Sequence, residues 1–148
     1  MPMPDPVEVQ ASAAPLETLQ LALNEVFAPW VQQLALRVDE AHFGAVTLSL
    51  PVAPAHVHAG GVLCGQTLMA AADTAMVLAV MTRLGSFKPM TTVQLQTSFL
   101  RPVAGTSGSV RLVAKVLRMG RQLVFGEVQA FGSDGQLAAH ATTTYALI

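Results

Sequence analysis

Residues 60–81, "GGVLCGQTLMAAADTAMVLAVM", decide how the rest of the chain must be arranged. From Gly65 onward no further helix breaker occurs until "RLG" at 83–85, where a basic last turn meets a glycine stop, so a helix is predicted from about Gly65 to Leu84. Its apolar residues fall on nearly every side, which requires enclosure by other elements. Asp73 is the single carboxylate in the segment. An acid there is costly to bury, poor for helix propensity and without a basic neighbour in local sequence, so chemistry explains it more easily than folding does. It also interrupts the apolar run well short of the roughly 20 residues that a membrane-crossing helix needs, and membrane insertion is not expected.

The flanking sequence supplies the enclosure. Downstream, "TTVQLQTSFLRPV", "GSVRLVAKVLRMG", "RQLVFGEVQAFG" and "QLAAHATTTYALI" are β-type runs separated by "AGT", "GR" and "SDG", which read as hairpin turns joining four meandering strands. Upstream, "VQQLALRVDEAHFGAVTLSLPV" holds two shorter β-type runs divided by Gly44, and "APAHVHAGG" is a loop. Leu16, Leu19, Leu23 and Phe27 follow a helical period after Pro15, predicting a short amphipathic helix. The expected fold class is α+β, a curved antiparallel sheet wrapped around one long buried helix. Residues 1–14, rich in proline, are expected to form a flexible tail before one domain at 15–148.

Composition narrows the function. Of the 148 residues 52% are hydrophobic and 11% charged, so a large apolar surface must be covered, and a homo-oligomer is expected. Cys64 is the only cysteine, which excludes an internal disulfide; with no secretory leader pattern, the cytoplasm is the expected location. His56 and His58 lack further ligands at suitable spacing, so no metal is expected. The net charge is −1, yet all charged residues between Asp73 and Glu127 are basic, a bias that suits an anionic ligand. Few aromatic residues are available for base stacking, and nucleic acid is not expected as a partner.

"HAGGVLCGQTLMAAADTA" (58–75), "TTVQLQTSFLRPV", "RMGRQL" and "DGQLAAHATTTY", in that order, resemble the hotdog-fold acyl-CoA thioesterases, in particular the branch that includes the phenylacetate-degradation enzymes. The resemblance spans roughly residues 40–147 and implies a hotdog fold, hydrolysis of an acyl-CoA or other acyl thioester without a cofactor, and a homodimer that pairs into a tetramer. It places the catalytic acid at Asp73 and the oxyanion-binding glycine at Gly65. Where the family has an upstream Asn, a His and a second Gly, this chain has His58, Cys64 and Gln66. These three, with Gly61 in the preceding turn and Thr92 on the strand after the helix, are candidate substrate-binding residues.

The chemistry can be stated from the residues as well. A thioester carbonyl needs a donor for its developing oxyanion, and the Gly65 N–H at a helix start offers one beside a residue with no side chain. Asp73 would activate water or attack directly. Eight helical residues span about 12 Å, too far for both groups to meet one carbonyl about 3 Å away, so the site must combine two subunits. Arg101, Arg118 and Arg121 are candidates for the phosphates of coenzyme A. Two other readings compete: a hotdog protein that binds acyl-CoA without turnover, and a hydratase or dehydratase using His56, although the acid such enzymes carry five residues after the glycine is Ala70 here.

Overall fold

The computed structural model describes Pro2 and residues 9–148. Two short helices, α1 (Leu16–Glu25) and α2 (Pro29–Gln32), precede the hairpin β1 (Arg37–His42) and β2 (Ala45–Pro51). The long helix α3 (Gly65–Leu84) follows, and β3 (Met90–Phe99), β4 (Ser109–Met119), β5 (Leu123–Phe131) and β6 (Leu137–Leu147) complete the chain. All pairings are antiparallel, in the order β1-β2-β4-β5-β6-β3. This is the hotdog architecture expected from the sequence.

The downstream strands do not form the simple meander that their turn signals predict. β4, β5 and β6 are joined by hairpins, but β3 pairs with β6 instead of β4. The "AGT" signal therefore lies within a crossover at residues 100–108, not in a hairpin turn. That crossover is tied to the loop before α3: Leu63 N–H donates to Val103 O and Gly105 N–H to Gly61 O, both at 2.8 Å. A side chain at Gly105 would collide with Val57, so its absence lets the two segments close.

Alternation sends Val46, Leu48 and Leu50 of β2, Val110, Leu112 and Ala114 of β4, and Val124 and Val128 of β5 onto the inner face, all buried. α3 lies across this face with 13 of its 20 residues buried. Among the described residues it alone is long and apolar enough to span a membrane, and its enclosure makes it the core helix instead. Gly85, at φ +86°, stops it in the left-handed conformation that glycine tolerates. At the other end of the chain, part of the expected tail is held in place. Gln10 O accepts from Phe43 N–H at 2.8 Å, Ala13 N–H donates to Thr82 O at 2.7 Å, and Ala14 is buried. The expected flexible segment at residues 1 and 3–8 lies outside the described residues.

Candidate functional site

One face of α3 is less buried than the rest: Gln66, Met69, Ala70 and Asp73, spaced three or four apart, form a stripe along its N-terminal half. The helix runs opposite in direction to β3, so Gly65 lies against Phe99 and Asp73 against Thr92. The two proposed chemical groups thus sit at opposite ends of the stripe. The structure does not bring them together within one protomer.

At the Asp73 end, Thr92 donates from Oγ1 to Asp73 Oδ1 at 2.9 Å. Thr92 stands beside a β-bulge between Thr92 and Gln94, a device that re-aims side chains. Directly across the ladder is Tyr145, whose hydroxyl meets Asp73 Oδ1 as well as the Asp73 carbonyl oxygen, the latter at 2.8 Å. Burial, and then the Asp73 charge, push the Tyr145 phenol well above its ordinary value, while a hydrogen bond with Thr92 works in the opposite direction. Tyr145 was not among the sequence candidates. A signal existed: alternation through "ATTTY" places the chain's single tyrosine on the inner face, where a hydroxyl needs a partner.

Asp73 opens into a cleft of about 140 Å³ lined by Phe27, Trp30, Val31, Met90 and neighbouring residues. α2 brings Trp30, 61% exposed, to its mouth. At the other end, Gly65 lines a cleft of about 330 Å³ together with Leu68, Phe99 and Arg101. Cys64 is the N-cap of α3, and its sulfur lies 3.0 Å from Thr67 Oγ1. The first N–H groups of the helix have no carbonyl within it to bind, and point outward with the positive end of its dipole.

The remaining candidates divide. Cys64 and Gln66 flank Gly65. His58 and Gly61 shape the loop behind it: His58 Nδ1 accepts from Gly60 N–H at 2.9 Å, and Gly61, at φ +78°, donates to His58 O. Arg101 reaches back to Leu137 O at 3.0 Å beside the Gly65 cleft. Arg118 and Arg121 instead share a cleft of about 560 Å³ with Leu123 and Phe125 on the β4–β5 hairpin. Leu123 and Phe131 are the two ends of β5, and Phe131 pairs with Leu137. Arg101 is therefore separated from the other two by about 26 Å along the strand, and the three arginines do not converge within one protomer.

The profile of the thioesterase superfamily matches residues 60–139, more than half of the chain. A protein of Thermoplasma acidophilum named as a presumed esterase is 27% identical over 125 residues, 83% of this chain and 92% of its own. Among solved structures, a variant of a phenylacetic acid degradation protein from Thermus thermophilus superposes with a TM-score of 0.72 at 25% identity, over 82% of this chain and all of that one. A thioesterase-named protein of Streptococcus pneumoniae, solved with coenzyme A, superposes with a TM-score of 0.70 at 17% identity, over 76% of this chain and 85% of that one. The matched segment contains the helix start, Asp73, Thr92 and the crossover that closes behind Gly65, and the sheet around it is the hotdog sheet: the chain belongs to the thioesterase superfamily.

Proposed function

We propose that the protein hydrolyses an acyl-CoA thioester to the free acid and coenzyme A in a site shared by two subunits. The observation that carries this reading is an acid on the open face of a core helix, tethered on one oxygen and facing an apolar cleft. Asp73 supplies the base or nucleophile. Acting as base it takes a proton from water, whose oxygen bonds to the carbonyl carbon; the oxyanion is held by the helix-start N–H groups at Gly65 of the partner subunit. Collapse breaks the carbon–sulfur bond, and the proton passes from Asp73 to the departing thiolate.

Two features support the shared site. β3 is an edge strand with Val93 60% and Phe99 50% exposed, so it offers unpaired backbone groups and apolar side chains to a second copy. Antiparallel pairing of two β3 strands about an axis between Leu95 and Gln96 would set Thr92 opposite Phe99 of the partner subunit. Asp73 lies at Thr92 and Gly65 at Phe99, so that pairing joins the two halves of the chemistry. The Streptococcus pneumoniae neighbour with coenzyme A supports the choice of thioester, and Arg101 at the Gly65 cleft is the nearest of the three arginines to the proposed oxyanion site. Two dimers pairing into a tetramer, in the cytoplasm, complete the reading.

Steady-state hydrolysis of a panel of acyl-CoA thioesters, with released thiol as the signal, tests it. Turnover is expected in the wild type, with kcat reduced at least about 100-fold in Asp73→Asn while the dimer is retained. Label found in the Asp73 carboxyl after a single turnover in oxygen-18 water identifies the nucleophilic role, since only an anhydride opened at that carbon carries it there. A second reading, acyl-CoA binding without turnover, is favoured by the engagement of His58 in its own turn; it predicts binding that Asp73→Asn leaves unchanged.

A further inference from the structure

Tyr145 is 1% exposed and directly opposite Thr92 on the β3–β6 ladder. Both hydroxyls reach the same carboxylate oxygen of Asp73, Oδ1. The phenol also lies 2.8 Å from the Asp73 carbonyl oxygen. One phenol hydrogen cannot serve both acceptors fully, and a charged carboxylate is the stronger of the two. Two donors approaching from neighbouring strands restrain the rotation of the Asp73 side chain in a way that one donor would not.

We infer that Tyr145 and Thr92 are positioning residues that occupy Oδ1 of Asp73 and so leave Oδ2 as the oxygen that meets the water or the thioester carbonyl carbon. The inference rests on the reading of Asp73 as the chemical group. Its content is geometric: the acid enters the reaction with one oxygen already assigned, and small misplacements of a reacting group are expensive. Other side chains lining the cleft come from the segment between α1 and α2 (Phe27), from α2 (Trp30, Val31), from α3 (Ala70, Thr74, Val77) and from β3 (Met90), and none of these is charged. Among the described residues Tyr145 is therefore the only other titratable side chain lining the cleft.

Two measurements on the full chain test this. The first is the hydroxyl proton of the chain's single tyrosine, observed by NMR at neutral pH. It is expected far downfield in the wild type and displaced upfield in Asp73→Asn. The second is the separate effect on kcat and on KM of Tyr145→Phe, which keeps the ring and its packing. Expected is a fall of about 10-fold in kcat with KM unchanged. Thr92→Val should lower kcat in the same way with KM unchanged, and it replaces the Phe variant if that variant fails to fold. An identical hydroxyl signal in both proteins, or a kcat equal to that of the wild type, would overturn the inference. Absence of turnover in the wild type defeats the thioesterase reading itself; a hydroxyl shift retained in that case makes the pair a structural tie and removes the positioning role.

Discussion

A phenol shut away from water holds its proton more tightly than one in solvent, and Tyr145 has a carboxylate against it as well. The consequence for stability has a definite sign. The unfolded chain loses the phenol proton near the ordinary pH of about 10, whereas the folded chain keeps it to higher pH. The stabilisation is complete below pH 10 and declines as pH rises beyond it, by about 1.4 kcal/mol per pH unit over the interval in which only the unfolded chain is ionised. Urea denaturation at successive alkaline pH values should show this decline in the wild type and a flatter dependence in Tyr145→Phe. Asp73 was legible at this scale because a lone acid conflicts with its helix. Tyr145 was not singled out, because a tyrosine in a strand conflicts with nothing; only the register that sets it opposite Thr92 reveals its task.

Packing of α3 onto the sheet depends on one glycine. Gly126 of β5 lies beneath Met76, and a side chain there would run into the Met76 sulfur and lie 2.9 Å from the Lys115 carbonyl oxygen. Met76 is flexible and could yield, but the β4 backbone cannot do so without disturbing the ladder. Gly126→Ala is therefore expected to destabilise the protein by about 1–3 kcal/mol, read as a lower denaturant midpoint with an unchanged slope. The elements themselves were largely readable: α3 occupies the span at which breaker-free sequence meets a glycine stop, and the β-type runs became strands. Their neighbours were less readable. A turn signal such as "AGT" records that the chain bends, and the same residues serve a hairpin or a crossover; the choice was made by the pairing of β3 with β6 and by the anchoring of residues 100–105 against the loop before α3.

At the scale of the whole molecule, an edge strand ten residues long with exposed apolar side chains is a surface that calls for a partner. A lysine in the middle of such an edge opposes strand pairing between copies without disturbing the protomer's own ladder. Val93→Lys should convert the proposed dimer to monomer in sedimentation, retain the circular dichroism of the folded chain, and abolish thioester turnover even though Asp73 and Gly65 are intact. A monomer that remains active would defeat the shared site. By itself the sequence determined the long helix, the lone acid on it, the glycine at its start and the four β-type runs that follow it, because periodicity and breakers act over a few residues and are written locally. Which strand stands at the edge, which oxygen of Asp73 is tethered and which arginines lie apart were decided only by the tertiary structure, because each depends on residues distant in sequence being brought to one place by the pairing of the sheet.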